Sequence, residues 1–193
     1  MSKYAPAIIM GFVVGFATSF LMRAFVFPEG SAPVFYGAGT GMFVAYILGN
    51  LAGNRKEALA TGPARQQALA FAPPPGKTLV VVYRDGFVGK MAGLNLAIDG
   101  REFAQIKSPR FTALVVPAGQ HTLSCAFGGL AGPQSRAGSY AFDAAPGQVV
   151  VVNIGARMGM IQGSFQFTPA PDLAAAKAKL DQFQMVQAEP AEV

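Results

Sequence analysis

Charge is scarce in this sequence. Of its 193 residues only 13% are Asp, Glu, Lys or Arg, with 10 acids against 15 bases, while 52% are apolar; an ordinary soluble domain carries about 25% charge. Part of the chain is therefore expected in lipid. Cysteine is reduced to Cys125 and histidine to His121. A lone thiol forms no internal disulfide, and its depth in the chain excludes lipoprotein attachment, which needs a cysteine just after the first apolar run. One histidine and one cysteine do not complete a zinc site, and no Ser-His-Asp arrangement is supported by spacing. The Gly-Lys step in "DGFVGKMAG" (85–93) is not a phosphate loop, because Met91 follows Lys90 where Ser or Thr is needed. Residues 77–168 hold eight Lys/Arg against four Asp/Glu with no basic run, so nucleic acid is not an expected partner. No catalytic residue, metal or cofactor is indicated.

What is present begins with two charge-free runs, Tyr4 to Met22 and Ser31 to Gly53. Each is long enough to cross about 30 Å of hydrocarbon, which places transmembrane helices at about 5–27 and 32–53. The first run is too long for a signal peptide and lacks a small-x-small cleavage site. Both runs carry small residues at every fourth position: Ala7, Gly11, Gly15 and Ser19 in one, Gly37, Gly41, Ala45, Gly49 and Gly53 in the other. Positions i and i+4 share a helix face, and in lipid close backbone approach replaces the hydrophobic drive for helix pairing. The short "PEGSAP" link (28–33) makes the helices antiparallel. The ridges either pack against each other alone or also dock a second copy or another membrane protein.

Lys3 precedes the first span, and Arg55, Lys56 and Arg65 follow the second, whereas the connecting loop offers Glu29. The positive-inside rule puts both termini in the cytoplasm, with Arg23 as an interfacial anchor. Residues 54–76 read as a linker: a helical stub through Ala60, a break at Gly62-Pro63, a short turn, and an extended spacer at Pro73-Pro74-Pro75.

From Thr78 to about Thr168 the apolar period becomes two. "TLVVVYR" (78–84) is a continuous run, "LNLAI" (94–98) alternates, Asp99-Gly100 is a two-residue hairpin turn, and "REFAQI" returns. "RFTALVV", "GQHTLSCAF", "SYAFDA", "VVVVNIG" and "SFQFT" follow between Pro and Gly turns, giving about eight strands and an antiparallel β-sandwich over 77–168. His121 shares a strand face with Leu123, Cys125 and Phe127, the position of a satisfied core-edge histidine.

The succession "VVVYRDG", "LNLAIDGREF", "FTALVVPAGQHTLSC" and "APGQVVVVNIG" resembles an uncharacterised bacterial β-sandwich family common in envelope lipoproteins, and more loosely PEGA-type surface modules. The resemblance covers about residues 77–157 and implies an immunoglobulin-like or PEGA-like fold without an established activity. A helical hairpin here stands where that family has a lipid-attached cysteine.

Two loops are apolar where loops are usually polar. Phe87, Val88 and Met91 lie in one, read as a mobile glycine-rich segment, and Met158, Met160 and Ile161 in "RMGMIQG" (157–163). If the first and seventh strands run parallel as neighbours, both loops leave one end of the sandwich and form a Met-rich contact patch; otherwise they cap the core. Finally, "DLAAAKAKLDQFQMV" in the 169–193 segment reads as a helix capped by Asp172, with Leu173, Ala176, Leu180 and Phe183 on one stripe and a frayed tail beyond.

The expectation for the whole is a non-enzymatic, membrane-anchored scaffold or accessory subunit of a bacterial inner-membrane complex. Its partners would be the membrane and other subunits or a second copy, with no ligand identified. The alternative is an envelope-facing module that binds glycan or cell-wall polymer, which needs a periplasmic sandwich.

Overall fold

The computed structural model of the chain describes residues 3–129, 132, 135–159 and 162–189. It comprises two compact units, Met1–Asn54 and Arg55–Val193.

The first unit is a pair of helices, α1 (Ala5–Phe25) and α2 (Ala32–Leu51), each with a proline in its opening turn, where a missing N–H is harmless. Both are long and apolar enough to cross a membrane. Their buried positions are few and spaced at multiples of four: Ala7, Gly11 and Gly15 in α1, and Pro33, Gly37, Gly41 and Gly49 in α2.

The second unit contains α3 (Gly62–Leu69), β1 (Lys77–Arg84), β2 (Leu94–Ile98), β3 (Arg101–Ile106), β4 (Arg110–Pro117), β5 (Gly119–Phe127), β6 (Gly138–Ala144), β7 (Val149–Arg157), β8 (Ser164–Pro169), α4 (Leu173–Leu180) and β9 (Gln184–Met185). One sheet has the order β8-β7-β1-β4-β9 and the other β3-β2-β5-β6. Val80, Val82, Leu96, Phe103, Leu123 and Ile154 belong to the core that joins the two sheets. A second core, with Leu79, Val81, Tyr83, Phe111 and Val151, lies under α3 and α4 through Leu69, Ala176 and Leu180. The continuous apolar run of β1 follows from this layering: its alternate side chains feed two different cores, so every residue from Thr78 to Arg84 is buried. β6 and β8, covered on one face, alternate instead.

The sandwich is mostly antiparallel. Two pairs depart from the all-antiparallel expectation: β1 with β7, and β4 with β9, are parallel. The Asp99-Gly100 turn closes the β2–β3 hairpin with Ile98 opposite Arg101, and both turn residues have positive φ, +50° and +81°.

Two expectations for the flanks are corrected. The segment 54–76 is not a free spacer: α2 stops at Leu51, and the chain from Arg55 is built into the second unit. The Arg55 amide donates to Gln105 Oε1 (2.6 Å), the Ala60 amide to the Met185 carbonyl (2.9 Å), and Leu69 is buried in the helix-covered core. The C-terminal helix is also shorter than read. Asp172 caps it as expected, accepting from Ala174 and Ala175, but it ends at Leu180. Beyond it, Met185 and Val186 are buried, and the Val186 amide donates to the Phe111 carbonyl (2.7 Å). Sheet hydrogen bonds and burial outweigh helix propensity there. The tail is tied down as far as Glu189, whose amide donates to the Phe103 carbonyl (2.7 Å).

Candidate functional site

Within the helix pair, the small-residue ridges face each other. A Cβ added to Gly11 would lie 2.7 Å from both the Gly41 carbonyl and Ala45 Cβ, one on Gly15 would lie 2.8 Å from the Gly37 carbonyl, and one on Gly37 would collide with Ser19. The backbones are therefore too close for side chains at these positions. Ala7 and Gly49 are buried as well, while Gly53 lies beyond the end of α2. Beside this seam runs an apolar groove of about 510 Å³, walled by Ile8, Phe12, Phe16, Val34 and Met42.

In the sandwich, the parallel pairing of β1 with β7 sends the loops that follow them, 85–93 and 158–163, from the same end. β4 begins there too, with Arg110 opposite Arg84. Phe87, Met91 and Met158 are 87%, 68% and 86% exposed, and Val88 is half-buried. Met160 and Ile161 lie outside the described residues. The apolar loops thus include exposed tips rather than core caps alone.

Sequence reasoning missed what holds the first loop. Arg84, the last residue of β1, is fully buried. Its guanidinium donates to the carbonyls of Val88 (2.7 Å), Gly89 (2.8 Å) and Ala92 (2.9 Å) and stacks over the Phe127 ring at 5.0 Å. Gly89 has φ +63°, and a Cβ there would meet Phe127 at 2.7 Å, so glycine is needed for the close wrap. The segment read as a mobile glycine-rich loop is thus tied to the end of β1 by three hydrogen bonds from inside. Burial lowers the Arg84 pKa to about 10, which leaves it charged at neutral pH. The signal in the sequence was a cation ending an apolar strand just before a glycine-rich loop that offers carbonyls.

Charged groups surround this end. Lys90, Arg136 and Arg157 are exposed and make no ion pair among the described residues. The acids are engaged: Glu57, almost wholly buried, pairs with Arg110 and Lys107, and Asp85 pairs with Lys179. Asp181 is exposed, with Arg65 donating to its main-chain carbonyl (2.7 Å).

His121 is satisfied, as its strand position implied. Its Nδ1 lies 2.6 Å from Asp99 Oδ2 and its Nε2 2.9 Å from the Pro117 carbonyl. Both partners are acceptors, so both nitrogens donate and the ring is held as the cation. Burial alone would lower its pKa, but the two hydrogen bonds and the Asp99 charge outweigh that and raise it. Cys125 is buried and unbridged, its thiol pushed up to about 12 by burial. The rings of Phe142, Tyr140 and Phe167 stack in sequence, half-buried at the margin of the inter-sheet core. Among the described residues no three His, Cys, Asp or Glu side chains are grouped to hold a metal. No family model and no curated protein matches this chain.

Proposed function

We propose that the chain is a non-enzymatic, membrane-anchored scaffold, an accessory subunit of a bacterial inner-membrane complex, in which α1 and α2 span the bilayer and carry the sandwich on the cytoplasmic side. One observation carries this reading. With the glycine seam closed, the outward side chains of the pair include Phe12, Phe16, Phe25 and Phe35, 74–80% exposed, a surface that lipid or a neighbouring membrane helix covers at no cost and water does not. The basic residues flanking the pair support the orientation.

The test is fractionation followed by native mass. The tagged protein is expected to stay in membranes washed at alkaline pH and to migrate in mild detergent as a stoichiometric assembly with other membrane proteins. Release into the wash would overturn the anchor. A lone monomer would overturn the subunit reading while leaving the anchor standing.

A further inference from the structure

We propose that the end of the sandwich formed by the loops after β1 and β7 is a docking surface for anionic phospholipid, with Phe87, Met91 and Met158 entering the headgroup boundary while Lys90, Arg136 and Arg157 meet the phosphates. The inference deepens the membrane-anchored reading above and rests on it.

Three observations converge. The first is preorganisation. Arg84 holds the inner side of the 85–93 loop by three carbonyls, so Val88 turns toward the protein while Phe87 and Met91 remain outside. A large apolar side chain kept in water by a dedicated buried cation is a built feature, and aromatic or thioether tips suit the headgroup boundary.

The second is charge. The three exposed cations have no acidic partner among the described residues, while Glu57 and Asp85 are consumed by Arg110, Lys107 and Lys179. The main-chain bond from the Arg136 amide to the Gly163 carbonyl (3.1 Å) places Arg136 beside the start of β8, opposite Arg157. Of the exposed acids, Asp181 has Arg65 at its main-chain carbonyl, and Glu189 lines a pocket together with Glu57. The net field suits an anionic surface.

The third is the tether. Five residues lie between Leu51, the end of α2, and Glu57, and the six steps of chain reach about 20 Å when fully extended. Glu57 is held by Arg110 and Lys107, where β4 begins at this same end. Because the covalent link is this short, any contact this end makes with the bilayer acts at high effective concentration, so weak contacts suffice.

The chain contains no tryptophan, so the variant Phe87→Trp reports on this loop alone. Full-length protein is placed one copy per nanodisc, in phosphatidylcholine alone or in an equal mixture with phosphatidylglycerol. The expected result is blue-shifted emission in the mixed discs, quenched by lipids brominated on the acyl chain and reversed by high salt. Adding Lys90→Glu or Arg157→Glu to that background is expected to lower the docked-to-free ratio by about fivefold or more each, with circular dichroism unchanged. Water-like emission in well-formed mixed discs would overturn the docking surface while leaving the anchor intact. Emission that is shifted but insensitive to brominated lipid would also overturn it, since the ring would then be buried against protein. Failure of the chain to enter discs at all would overturn the anchored reading and this inference together.

Discussion

At the scale of single residues, the His121 and Asp99 pair gives a pH signature. The His121 pKa is raised in the folded state, so its contribution is complete below the unfolded value of about 6.5 and is lost as pH rises through the raised value. Asp99 is the mirror case. Burial would raise its pKa, but the hydrogen bonds from His121 and the Thr122 amide, with the nearby positive charge, lower it. Its contribution is complete above about 3.8 and is lost as pH falls through the lowered value. Thermal unfolding in detergent is expected to show a plateau across mildly acidic pH, falling on both sides, and His121→Gln should remove the decline on the alkaline side. Arg84 gives a second prediction. Arg84→Met leaves three loop carbonyls without their donor and is expected to cost about 2–4 kcal/mol, read as a lowered urea midpoint with faster amide exchange confined to 85–93. Arg84→Lys rescues only in part, because one ammonium cannot reproduce the guanidinium fork.

At the scale of elements, the helix seam and the strands differ in how openly they were written. The seam was legible because its cause is local: every fourth residue is small, and a helix places those residues on one line. Gly41 and Gly39 make a controlled pair. A Cβ at Gly41 would lie 2.6 Å from the Gly11 carbonyl, and one at Gly39 meets nothing within 4 Å. Gly41→Val is therefore expected to destabilise the helix pair by about 1–3 kcal/mol through overpacking, and Gly39→Val to leave its melting temperature in detergent unchanged or raised. For α4, Asp172→Ala removes a cap that serves two amides and is expected to cost about 1 kcal/mol in chemical denaturation. Strand positions and the Asp99-Gly100 turn were equally readable, since alternation and turn chemistry are local. β9 was not, because Gln184 and Met185 become a strand only by meeting β4.

At the scale of the whole molecule, topology can be read by thiol chemistry. Cys125 is 3% exposed, with its pKa pushed to about 12, so it is silent in the native protein. A cysteine introduced at the exposed Gln166 is then a clean reporter. With the sandwich cytoplasmic, an impermeant reagent labels Gln166→Cys only after cells are opened; labelling in intact cells would put the sandwich outside and favour the glycan-binding alternative.

Sequence alone determined the features that depend on neighbours along the chain: two apolar runs, their four-residue ridges, the hairpin turn, the alternating strands and the Asp172 cap. Tertiary structure alone decided which strands lie side by side. The parallel β1–β7 pair gathers Phe87, Met91 and Met158 at one end, the chain after Arg55 becomes part of the sandwich unit, and Arg84 is buried as a pin rather than left in solvent. Those outcomes arise from hydrogen bonds and burial between segments far apart in sequence, and no local pattern encodes where a buried cation will find its carbonyls.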